Sequence, residues 1–171
     1  KTCADDFLGT RDRAMILCLL DTGARAGEFL SLDLADVDTI GGAVILRKTK
    51  NRKPRTVFIG RKSRRAVRAY LKIRDDDNAA LWVSRRGDRL AMPSFQGLLK
   101  RRGRLAKLRD IPSAHDFRRA HALMMLRAGT DVITLARLMG HSSLEVLTRY
   151  LKQSADDLHA AHDRAGVDKW L

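Results

Sequence analysis

Disulfide chemistry is the first thing this sequence leaves out: Cys3 and Cys18 are its only cysteines, too few to staple a small secreted fold. Their scarcity points to a reduced compartment, and a cytoplasmic location is expected. Long apolar runs are missing as well. No stretch approaches the roughly 18 apolar residues of a membrane-spanning helix and no leader-like segment opens the chain, so a membrane is not an expected partner. HExxH, paired CxxC, glycine-rich phosphate-loop and GxSxG patterns are absent, which argues against zinc proteolysis, nucleotide hydrolysis and serine chemistry. His159 and His162 share a helical face without Cys or carboxylate ligands at zinc spacing, so no metal site is expected. There is no internal repeat and no low-complexity tract. Acidic residues are the other shortage: 20 Asp and Glu face 34 Lys and Arg, leaving a net charge of +14. Solubility does not require such an excess, and it implies a polyanionic partner, nucleic acid first.

A chain of 171 residues that is 44% hydrophobic can bury one core, and a single domain spanning 1–171 is expected. Because it opens on Lys1 rather than Met, it reads as a piece of something longer. The run from Arg11 to Asp21 holds seven consecutive apolar residues between charges, too long and too leucine-rich for a typical strand, and reads as a buried helix. Gly23 ends it, and AGEFLSLDL starts a second helix almost at once. Arg25 at that junction faces the positive end of the helix dipole and therefore calls for an anion. Glu28, three residues on, is one candidate and a phosphate is the other.

Between Val37 and Gly60 the periodicity changes. The β-branched runs 43–47 and 56–59, bracketed by glycine, predict antiparallel strands of a small sheet. The segment joining them, RKTKNRKPR, contains Arg47, Lys48, Lys50, Arg52, Lys53 and Arg55. A hairpin tip this basic repels itself unless something neutralises it, as a DNA backbone would by counterion release. Residues 61–74 form an amphipathic helix with Ala66, Val67, Tyr70 and Leu71 inside and Arg64, Arg65 and Arg68 outside; Tyr70 is core packing. LWVS reads as a buried segment and GDR as a turn. Pro93-Ser94 opens a helix to about Arg109 whose Lys100, Arg101, Arg102, Arg104 and Lys107 make a second basic surface. The expected fold is α+β and mainly helical, with helices packed around a small antiparallel sheet.

The chemistry concentrates between Ile111 and Leu151. Ser113 with Asp116, and Ser142 with Glu145, are capping boxes that start two helices. In the first, His115 and Arg118 share a face, and Phe117, Ala120, Met124 and Ala128 mark the adjoining buried stripe. Gly129 stops it. Residues 131–139 form a second apolar helix, and Gly140 suits the left-handed position that ends it. His141 follows that stop, and Tyr150 hangs about two turns into the next helix. Ser154 to Asp157 starts a final helix.

These residues together resemble the catalytic domain of the tyrosine recombinases, the family of phage and conjugative-element integrases and Xer-type resolvases. TGARAGE is similar to the family's TGxRxxE motif at Arg25 and Glu28, HDFR to its HxxR box at His115 and Arg118, and LMGHSS followed by RY to its GHSS box and nucleophile at His141 and Tyr150. Counting back seven residues from Val57, as the family's hairpin lysine is placed, gives Lys50, with Lys48 and Lys53 close enough to compete. Many members carry a second histidine directly after the HxxR arginine, and here Arg119 stands there.

The resemblance implies that Tyr150 attacks a DNA phosphodiester, with His115 moving its proton, Lys50 protonating the leaving oxygen, and Arg25, Arg118 and His141 gripping the phosphate. Glu28 would orient the site from behind. No metal or cofactor is implied, and double-stranded DNA is the partner, contacted by Arg47, Lys48, Arg52, Lys53 and Arg119. On this resemblance, the family's N-terminal core-binding domain is expected to lie outside residues 1–171. Strand exchange implies a homotetramer on DNA, docked through the segment 154–166, with the isolated chain a monomer. Type IB topoisomerases use a similar set of groups but usually carry lysine where His115 stands; a DNA-binding module that kept the fold and lost catalysis is the other alternative.

Overall fold

The computed structural model describes residues 2–4, 6–47, 54–140 and 163. Helix α1 (Phe7–Thr22) is its central rod. The Asp6 carboxylate caps its start by accepting from the Gly9 amide at 2.6 Å, and Gly23 closes it in the left-handed conformation, φ 56°. Ala14, Met15, Cys18 and Leu19 are buried and Ile16 and Leu17 pack partly against the same core, so the helix is apolar on nearly every side, as a core helix must be. Burial pushes the Cys18 thiol far above its ordinary range and leaves it inert.

Helix α2 is shorter than its sequence suggests, running only Ala26–Leu30. The remaining expected residues pair elsewhere: Leu32 accepts from the Leu81 amide at 2.9 Å, and the Leu34 amide donates to Ala79 at 2.8 Å. Arg89 donates to the carbonyls of Leu30 and Leu32, so the backbone of this stretch is satisfied outside a helix. Strands β1 (Ala43–Leu46) and β2 (Arg55–Phe58) then form the antiparallel pair, with Val44 opposite Val57 and Leu46 opposite Arg55. Val44, Leu46 and Val57 face the core, while Phe58 is exposed.

Helix α3 (Arg61–Lys72) packs on α1. Its Tyr70 is core, as expected, stacked on Trp82 with ring centroids 5.7 Å apart and accepting a hydrogen bond from the Val83 amide. Leu81, Trp82 and Val83 are buried, and the following turn carries Gly87 at φ 85°. Helix α4 (Met92–Leu105) opens on Pro93 and stops short of Arg109. One of its expected surface cations is internal: Arg102 is buried and donates to Asp12 at 2.9 Å and to the Thr2 carbonyl. Asp12 is fully buried and also accepts from Arg11 and Arg101, because a carboxylate taken out of water needs paired donors.

Helices α5 (Ala114–Arg127) and α6 (Val132–Met139) complete the chain's described part. The expected stripe on α5 is wrong beyond Ala120: Phe117 and Ala120 are half-buried, but Met124 and Ala128 are exposed, and Arg118, His121 and Ala122 are buried instead. The buried face holds a cation and an imidazole because α5 lies against α1, whose terminal carbonyls they bond. Ala122, Met125 and Leu126 join Leu135, Ala136 and Met139 in a second, smaller core between α5 and α6.

Candidate active site

The site is assembled where α1 ends. A Cβ on Gly23 would lie 2.5 Å from the His121 ring, so only glycine lets α1 turn away while α5 sits this close. The chain then enters α2 through Arg25, whose extended backbone forms the N-cap. The Glu28 carboxylate accepts the Arg25 amide at 3.0 Å and its guanidinium at 3.1 Å, so of the two anions left open by the sequence the local one is present. The Arg25 side chain stays 35% exposed, and its other Nη reaches the Gly140 carbonyl only at 3.4 Å. It is anchored from behind and accessible in front.

Arg118 comes from α5 and is buried. Its Nη1 donates to the Gly23 carbonyl and its Nη2 to the Met139 carbonyl, both at 2.6 Å. Gly140 ends α6 in the left-handed conformation its position predicts, φ 63°. The last carbonyls of α6 thus meet three guanidiniums: Leu138 accepts from Arg55 at 2.9 Å, Met139 from Arg118 and Gly140 from Arg25. A helix C-terminus leaves such carbonyls unpaired and carries the negative end of the dipole, so cations belong there. Arg25 and Arg118 therefore meet at adjacent residues of one turn.

Arg55 is the residue that sequence reasoning passed over as one more hairpin cation. Its signal was its position, two residues before the first buried residue of the returning strand, Val57, and so on the same inward face. Its Nη1 and Nη2 grip the Glu28 oxygens at 3.0 and 2.7 Å. Burial pushes the Glu28 carboxyl up, but hydrogen bonds from Arg55 and from the Arg25 amide outweigh it, and the net shift is downward. Nearby, burial lowers the pKa of His121, which bonds the Leu20 carbonyl at 2.9 Å and feels the Arg118 charge.

His115 stands exposed on the first turn of α5, three residues before Arg118. Arg119 is also exposed, close enough to Asp116 to lower its pKa with His115, after the Ser113 hydrogen bonds that do most of the lowering. Arg47 is drawn into an ion pair with the buried Asp36 at 2.5 Å, though its side chain remains 60% exposed. Lys50, His141 and Tyr150, and the cations Lys48, Arg52 and Lys53, lie outside the described residues.

Residues 1–156 match the phage integrase family. This chain belongs to that family. It is 34% identical over 158 residues to the tyrosine recombinase XerA of Thermococcus kodakarensis, a match covering 91% of this chain and 55% of that protein. The tyrosine recombinase XerD of Mycobacterium tuberculosis is 34% identical over 173 residues, covering 95% of this chain and 55% of its own length. The chain thus spans about half the length of the curated relatives it matches. Among solved structures, a crystal structure of XerA recombinase superposes with a TM-score of 0.81 at 27% identity, over 92% of this chain and 58% of that one. XerH recombinase bound to its difH substrate shares the fold, with a TM-score of 0.75 at 23% identity over 91% of this chain and 47% of that one. The family and the mainly helical fold around a small antiparallel sheet are as the sequence motifs implied.

Proposed function

We propose that this chain is the catalytic part of a site-specific DNA recombinase that cuts and rejoins strands through a covalent phosphotyrosine. The observation that carries the reading is the meeting of Arg25 and Arg118, far apart in sequence, at the adjacent carbonyls of Gly140 and Met139, immediately before His141. Two planar guanidiniums at one point suit the charge that builds on the non-bridging oxygens of a pentacovalent phosphorus better than two ammoniums would. Similarity to Xer recombinases, one of them solved on its DNA substrate, supports double-stranded DNA as the partner.

In this reading the Tyr150 oxygen attacks the phosphorus in line, the bond to the 5′-oxygen breaks, and a 3′-phosphotyrosyl bond holds the energy for rejoining. A tyrosine with an ordinary pKa of about 10 keeps its proton at neutral pH, so His115 accepts it. Lys50 delivers a proton to the departing 5′-oxygen, His141 donates to the phosphate, and Glu28 holds Arg25 in place. Hairpin cations and Arg119 contact the backbone. The whole recombinase acts in the cytoplasm as a homotetramer on DNA, joined through the segment 154–166.

A nicked suicide duplex, from which the cut strand diffuses away, tests the reading. The parent chain should form a denaturation-resistant protein–DNA adduct and Tyr150→Phe none. Arg118→Ala should slow adduct formation by about 10²- to 10³-fold, the usual loss of one transition-state donor. Adduct formation that survives Tyr150→Phe would remove the proposal.

A further inference from the structure

Arg55 differs in kind from the other cations of its run. Its side chain is only 12% exposed, and each of its three guanidinium nitrogens already donates within the protein: Nε to Leu138, Nη1 and Nη2 to the two oxygens of Glu28. That carboxylate also receives the Arg25 amide and guanidinium. Gly140 is fitted against the same group, since a Cβ there would lie 2.9 Å from the Arg55 Nη1. One guanidinium thus ties β2 to the start of α2 and to the end of α6.

Resting on the recombinase reading, we propose that Arg55 is a positioning residue of the cleavage site: it braces the Glu28 carboxylate and the 138–140 turn, and so fixes Arg25 and the approach to His141, without touching the scissile phosphate. The alternative for a cation in this run is a bond to the DNA backbone, which needs the guanidinium to face solvent. Arg55 faces inward, beside Val57. Arginine is required there because a planar fork can grip both carboxylate oxygens while its Nε serves a third acceptor; an ammonium keeps the charge and loses that geometry.

Arg55→Lys separates the roles. With DNA saturating and the rate normalised to the folded fraction, adduct formation should fall by about 10²-fold, the scale of an ångström-sized misplacement of reacting groups. DNA affinity and its salt dependence should stay within about twofold of the parent, because every phosphate keeps its cation. A 5′-bridging phosphorothiolate substrate adds a second reading, since a thiolate leaves without the proton an alkoxide needs. If Arg55 acts through Arg25 and the α6 turn, the defect persists on that substrate.

Rescue there would mean that Arg55 serves the hairpin acid instead, and overturn the proposal. So would an unchanged rate, or a weaker affinity and shallower salt slope with the rate at saturation intact. If Arg55→Lys and Arg55→Gln are both unfolded at the assay temperature, Arg55 is a determinant of the fold alone and the proposal fails. A parent chain that forms no adduct would remove the recombinase reading itself and this inference with it.

Discussion

Two cations and a backbone amide lean on the carboxylate of Glu28, and its pKa lies below the ordinary range although burial alone would raise it. A carboxyl depressed on folding adds stability above its unfolded pKa and loses it as pH falls through that range. Urea unfolding between pH 7 and pH 3 should therefore show a steeper loss for the parent than for Glu28→Gln. At pH 7 the variant should be about 3 kcal/mol less stable, since removing one member of a buried ion pair strands the others. His121 works in the same sense at higher pH. Burial depresses its pKa below 6.5, so the neutral ring stabilises the fold above that value and protonation removes the contribution below it. His121→Asn, which keeps an N–H for the Leu20 carbonyl, should lose less stability than the parent between pH 7.5 and pH 5.5. The Arg25–Glu28 pair was legible because three residues on a helix start are neighbours; the second partner, Arg55, was not, because pairing between a strand and a helix start leaves no sequence interval.

Helix ends marked by a local capping residue were the most legible features. Asp131 caps α6 by accepting from the Thr134 amide at 2.8 Å, and Ser113 and Asp116 close the start of α5, the Ser113 amide donating to the Asp116 carboxylate at 2.9 Å. Gly23 and Gly140 occupy left-handed terminal positions. These rules are local, so local sequence suffices to read them. Ser113→Ala should lower stability by about 1 kcal/mol, Asp131→Ala should lower it as well, and the double variant by about their sum, because the two caps share no partner. A sum far from additive would mean that α5 and α6 respond as one unit through their shared small core. Where an element stops without a local cap, and which face it buries, were read less well. α2 stops at Leu30 because Leu32 and Leu34 bond the 79–81 segment, and the α5 stripe is displaced because its buried face is chosen by carbonyls on α1. Tertiary partners decided both.

Across the whole molecule the surplus of +14 does not translate into a uniformly basic surface. Arg11, Arg55, Arg102 and Arg118 are turned inward, on Asp12, Glu28 and helix-end carbonyls, and Arg102 was read from the sequence as part of a basic face. Net charge points to a polyanionic partner without saying which cations would meet it. Internal pairing consumes carboxylates as well as cations, so the excess remains on residues outside these clusters, among them the exposed Arg61, Lys62 and Arg65 of α3. If the hairpin cations grip the DNA backbone, each phosphate neutralised releases condensed counterions, and the logarithm of affinity should fall with the logarithm of salt by about 0.9 per phosphate. Replacing Lys48, Arg52 and Lys53 by Gln should flatten that slope by about 0.9 for each phosphate no longer neutralised, and should weaken binding equally on unrelated duplexes, because phosphates carry no sequence information. Fluorescence anisotropy on two unrelated duplexes from 50 to 200 mM salt measures both quantities. A slope that does not change would place the DNA contact on other cations, the exposed face of α3 first among the described residues, whereas a weakening confined to one duplex would make the hairpin a reader of bases.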